Sequence, residues 1–122
     1  MYKQILVAYN GTPESQVALR ECLRLSLPAT TSVHLLAVVS PPPYLLVGEF
    51  AAAAVLSVEE GLAVEREKMA KELEAGAAML AGGGLSVTPH LEVGEPVSVI
   101  EELANDLKIE LVIVGHSRHK PL

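Results

Sequence analysis

The chain has 122 residues, enough for one compact domain with a real buried core. Half are apolar, but the aromatics are three Tyr and one Phe with no Trp, so the core must be aliphatic. A net charge of −6 excludes broad nucleic-acid binding, which needs a basic face, and a lone Cys22 excludes an intrachain disulfide.

Residues 3–9 (KQILVAY) form a short apolar run that ends in the turn dipeptide Asn10-Gly11, which predicts a strand buried on both faces. Thr12 suits the cap of a following helix and Pro13 its first position. Ala18, Leu19, Cys22, Leu23 and Leu25 make its apolar side, and Pro28 ends it. Residues 32–39 (SVHLLAVV) read as a second strand, stopped by Pro41-Pro42-Pro43. The stretch 44–57 is apolar without clear periodicity and fits a loop, a short helix or a contact patch. From 58 to about 81 the pattern is helical, with Leu62, Met69, Leu73, Ala77 and Leu80 on one side and Glu67 spaced to pair with Lys71. Gly82-Gly83-Gly84 closes it. Residues 85–93 (LSVTPHLEV) alternate, and Pro89 suits an edge strand. Gly94-Glu95-Pro96 opens a helix striped by Ile100, Leu103, Ala104 and Leu107, and residues 110–114 (ELVIV) are a last apolar strand ending at Gly115.

Strands alternating with helices predict an α/β fold: a Rossmann-like or flavodoxin-like parallel sheet flanked by helices in three layers, as a single domain over 1–122. No run approaches the roughly 20 apolar residues of a spanning helix, and nothing resembles a signal peptide, so a soluble cytoplasmic protein with no membrane partner is expected. In such sheets ligands bind beyond the carboxyl ends of the strands, where strand order reverses. Those ends are Tyr9-Asn10-Gly11-Thr12, Val38-Val39-Ser40 and Val114-Gly115-His116-Ser117. If the first and last strands are neighbours, their loops share one crevice. There Gly11 and Gly115 allow close backbone approach, and the helix start after Thr12 favours an anion.

The segments ILVAYNGTPESQVAL and GEPVSVIEELANDLKIELVIVGHS, in that order and at that separation, resemble the universal stress protein family over essentially the whole chain. The resemblance implies a sheet of the adenine nucleotide alpha hydrolase-like kind, a homodimer, and an adenine nucleotide (ATP or AMP) held in the crevice. It implies that Asn10, where ATP-binding members usually carry Asp, lies beside the adenosine. Val38 matches the position lining the base, and Val114-Gly115 the pair under ribose and phosphates. The family's G-x2-G-x9-G-S/T turn is represented by Gly115 alone, since Arg118 stands at the second glycine position and the sequence stops before the third. A C-terminally short or truncated member is therefore expected, without the strand that commonly joins two subunits.

The candidate cofactor-binding residues are thus Tyr9, Asn10, Gly11, Thr12, Val38, Val114, Gly115, His116, Ser117 and Arg118. Each has a plainer role: Asn10-Gly11 as a turn, Thr12 as a cap, Val38 and Val114 as core, Gly115 as a strand end. Ser117, Arg118, His119 and Lys120 could offer cations to phosphate in place of missing backbone donors. His116-x-x-His119 lacks a third ligand, so no metal is expected. His34 and His90 read as structural, and Cys22 as a small core residue. No catalytic triad, carboxylate pair, P-loop or G-x-G-x-x-G is present, so no catalytic residue is named. The expected function is a regulatory, stress-associated module that binds adenine nucleotide, with slow ATP hydrolysis left open. The alternative is an interaction protein of the same fold, without ATP, acting through its dimer surface and segment 44–57. A weaker third is an adenylate-forming or ATP-hydrolysing enzyme.

Overall fold

The structure, a computed structural model, describes residues 2–40 and 51–115, with the backbone alone over 51–58. In chain order it contains β1 (Gln4–Ala8), α1 (Pro13–Arg24), β2 (Ser32–Val39), α2 (Ala51–Gly82), β3 (Ser86–Val93), α3 (Pro96–Asp106) and β4 (Leu111–Val114). The strands form one parallel sheet in the order β3-β2-β1-β4, flanked by helices to give three α/β layers. The chain steps outward from β1 to β3 and then returns to the other side of β1. The strand order therefore reverses between β1 and β4.

Alternation along the strands divides the two faces. Ile5, Val7, Val33, Leu35 and Ala37 point to the α1 and α2 side, where they meet Ala18, Leu19, Cys22, Leu73 and Leu80 in an aliphatic core. Burial pushes the Cys22 thiol pKa up, so it stays a neutral packing group. The opposite residues, Leu6, Ala8, Leu36 and Val38, face α3. Thr12 caps α1 as its sequence position predicts, its hydroxyl accepting from the Ser15 backbone N–H at 3.3 Å. Leu25 departs from the expected apolar face and is 43 % exposed, because it is already the C-cap residue.

α2 begins at Ala51, earlier than the periodicity suggests; residues 44–50 lie outside the described residues. Alanine is the strongest helix former, so an Ala-rich start needs no amphipathic stripe to propagate the helix. Leu73 and Leu80 are buried, with Met69 and Ala77 packed beside them. Glu67 and Lys71 form no ion pair; among the described residues the ion pair is Arg24–Glu21, at 3.1 Å on the surface. Two long exposed side chains gain too little Coulomb energy there to offset fixing their rotamers.

β3 is an edge strand, where the missing N–H of Pro89 is tolerated. α3 is capped by Glu95, whose carboxylate accepts from Val97 N at 3.1 Å and Ser98 N at 2.8 Å and is held below its ordinary pKa by those bonds. None of its residues is fully buried, so the stripe of Ile100, Leu103, Ala104 and Leu107 is only half covered. β4 is clamped to β1 by the Glu110 carboxylate, which accepts from Lys3 N at 2.5 Å and Gln4 N at 3.1 Å. These bonds also lower its pKa.

On the α3 face, His34 Nε2 lies 2.9 Å from Gln4 Oε1 and His34 Nδ1 lies 2.9 Å from His90 Nε2. With the Gln4 oxygen accepting, His34 Nε2 carries the proton and Nδ1 must accept from His90. Protonating His34 sets a second N–H against the first. Burial, then the neighbouring His90, holds its pKa below 6.5. Below that unfolded value the unfolded chain binds more protons than the folded one, so stability falls as pH drops through this window. The urea midpoint is expected to be lower at about pH 5.5 than at about pH 7.5, above the range in which Glu95 and Glu110 titrate. A His34→Gln variant should flatten that slope; equal wild-type midpoints would discard the idea.

Candidate nucleotide crevice

Three elements bring their ends to one place. The β1–α1 turn, the end of β2 and the end of β4 meet the first turn of α3 around a crevice of about 200 Å3. Its walls are Ala8, Leu36, Val38, Ile100 and Pro96 on one side. Asn10, Thr12, Ser15, Val114 and Gly115 complete it, with Tyr9 at the base. The apolar group offers a shelf for a flat ring, and the start of α1 gives the polar end a positive dipole. The volume is smaller than the roughly 300–1,000 Å3 of drug-sized ligand sites.

Gly115 is required by close approach. A β-carbon there would run into the Glu14 carbonyl and the Ser15 backbone N–H at the start of α1. That contact holds the end of β4 against the turn that follows β1, so the crevice floor is continuous. Gly11 serves differently. Its φ of +83° suits glycine, and a β-carbon there would meet the Glu72 carboxylate on α2, at 2.8 Å. Gly11 therefore turns its α-carbon toward α2, while Asn10 and Thr12 on either side line the crevice.

The Tyr9 ring lies on the α1 and α2 side, 4 % exposed, and its hydroxyl accepts from Gln16 Nε2 at 3.3 Å. Burial, then Glu72, pushes its pKa up, so the phenol stays protonated. Tyr9 supplies backbone to the crevice, its N–H donating to the Leu36 carbonyl at 2.8 Å. His116, Ser117 and Arg118 lie outside the described residues. Sequence reasoning missed Ala8, Ser15, Leu36, Pro96 and Ile100. Ser15 and Leu36 had a signal, one helical turn after Thr12 and one strand alternation before Val38. Pro96 and Ile100 could have been reached by noting that Gly94-Glu95-Pro96 turns the chain at the same end of the sheet. No carboxylate or histidine lines the crevice among the described residues, and these hold no cluster of three metal-binding side chains.

The profile of the universal stress protein family matches residues 1–122. The chain belongs to the universal stress protein family. A comparison with curated proteins finds no match. Among solved structures, the hypothetical protein MJ0577 superposes with a TM-score of 0.77 at 21 % identity, over 92 % of this chain and 73 % of its own. A universal stress protein family member from Burkholderia pseudomallei gives 0.66 at 20 % identity, over 94 % and 82 %. A universal stress protein in complex with cAMP gives 0.58 at 17 % identity, over 91 % and 70 %. At these identities the likenesses establish the Rossmann-like fold of the family. No helix among the described residues is long and apolar enough to cross a membrane.

Proposed function

We propose that this universal stress protein is a regulatory module that holds an adenine nucleotide, ATP or AMP, in the crevice between β1, β2 and β4. The observation that carries the reading is the convergence of Asn10, Val38, Val114 and Gly115 on one cavity at the reversal of strand order. Support comes from the fold neighbour solved with cAMP, a ligand of the same chemical class. Among the described residues the lining offers shelf, turn and helix dipole but no carboxylate or histidine to serve as a general base, which suits binding and release better than turnover. In this reading the protein works in the cytoplasm as a homodimer, and bound nucleotide changes its conformation or association.

A second reading, an interaction protein that has given up nucleotide, draws on the small volume of the crevice and on Val112 and Val114, which are 38 % and 50 % exposed on the α3 face. Native mass spectrometry of gently purified protein separates the two. The first reading expects an added mass equal to an adenine nucleotide, and calorimetric titration of stripped protein with AMP or ATP should then give a dissociation constant. Bare protein that also gives no heat with either nucleotide would turn the conclusion to the second reading.

A further inference from the structure

Two helices open on the crevice, α1 through Thr12 and Ser15 and α3 through Pro96 and Ile100. The start of a helix is where a phosphate finds unpaired amides and a positive dipole. Here those amides are taken. α3 begins with Pro96, which has no N–H, and its next two amides, Val97 and Ser98, donate to the two oxygens of the Glu95 carboxylate at 3.1 and 2.8 Å. The Val99 N–H donates to the Glu95 carbonyl at 3.0 Å. These bonds to the carboxylate hold Glu95 in its charged form, so an anion supplied by the chain already stands at this pole.

α1 follows the same scheme with neutral groups. Pro13 has no N–H, the Ser15 N–H donates to Thr12 Oγ1 at 3.3 Å, and the Gln16 N–H donates to the Thr12 carbonyl at 3.0 Å. The turn before it is committed as well. Asn10 Oδ1 accepts from the Thr12 N–H at 3.1 Å and from the Thr12 hydroxyl at 2.7 Å. Among the described residues, the Glu14 N–H is the one amide of this first turn left without an internal acceptor.

Charge and size point the same way. Among the described residues no lysine or arginine lines the crevice. Three carboxylates stand around it: Glu14 in the first turn of α1, Glu72 against Gly11, and Glu95 beside Pro96. A space of about 200 Å3 takes a ring and its sugar and leaves a phosphate chain outside, among those carboxylates.

We infer that the crevice selects its ligand against phosphate charge, and that Glu95 is the residue responsible: its carboxylate occupies the place at α3 that a phosphate would take and repels one that approaches. The inference rests on the crevice holding an adenine nucleotide and narrows the ligand class to members of low charge, with adenosine and AMP ahead of ATP. Glu95 acts on the ligand through its field and needs no direct contact with it.

The test is calorimetric titration with adenosine, AMP and ATP in metal-free buffer, where no divalent cation masks the phosphates. Wild type is expected to bind adenosine and AMP within about threefold of each other and ATP at least about tenfold more weakly at low salt. That gap should close at about 0.5 M salt, where the screening length falls to about 4 Å. Glu95→Ser keeps a side-chain cap without the charge, and thermal melts check that it folds. It should tighten ATP by about threefold and leave adenosine unchanged. ATP bound by wild type as tightly as adenosine, or a gap that ignores salt, overturns the inference while the crevice reading stands. An ATP affinity unchanged by Glu95→Ser overturns the assignment to Glu95, and if that variant fails to fold the wild-type salt series decides. If none of the three ligands binds wild type, the crevice reading itself falls and this inference falls with it.

Discussion

Gly115→Val is expected to destabilise the protein by about 2–4 kcal/mol and to abolish binding in the crevice. The added side chain meets the backbone of Glu14 and Ser15, which cannot rotate aside as a surface side chain would. Relief requires either β4 to lift from β1 or the first turn of α1 to shift, and each movement separates two walls of the crevice. Gly82→Ala is the natural control, since a β-carbon there has nothing within 4 Å. Urea denaturation should show a lower midpoint for Gly115→Val and little change for Gly82→Ala. A Gly115→Val midpoint equal to wild type would mean that β4 and α1 do not touch as described.

Leu80→Ala should cost about 2–5 kcal/mol. Leu80 is fully buried and, with Leu73, fixes the last third of a 32-residue helix to β2 and β3. Most of the α2 side chains over 59–72 are exposed, so that stretch offers few other anchors to share the lost contacts. Val64, on the same helix but 65 % exposed, provides the contrast: Val64→Ala should stay within about 0.5 kcal/mol of wild type. Similar losses at both positions would show that α2 is docked by a different face.

The strands were legible because their signals are local. Apolar runs at 3–9 and 32–39 are buried from both sides, the run at 110–114 forms a strand although it leaves Val112 and Val114 exposed on the α3 face, and Pro89 marks an edge wherever it falls in a ladder. Asn10, Gly11 and Thr12 were readable for the same reason, since turn and cap chemistry spans only a few residues. The start of α2 was hidden because four alanines carry propensity without direction. The His34–His90 contact joins positions 56 apart, and no spacing rule reaches across that distance. Nor could sequence show that the Asn10 oxygen is spent on Thr12 or that Glu72 stands over Gly11. Both depend on how the turn is oriented once α2 has packed. Leu25 and the Glu67–Lys71 spacing misled in the other direction, because each fitted a local rule that the finished surface did not need.

The clamp between Lys3 and Glu110 joins residues 107 positions apart, and it bears on how the molecule is made. During synthesis β1, β2 and β3 emerge before β4 and can zip together, while the free side of β1 waits for a strand about a hundred residues further on. Closing so long a loop is entropically slow, which makes arrival of β4 a later event in folding than pairing of β1 with β2. A newborn chain thus cannot hold cargo at the junction of β1 and β4 until β4 has been made. Any small molecule captured there would act as a latch on that closing step.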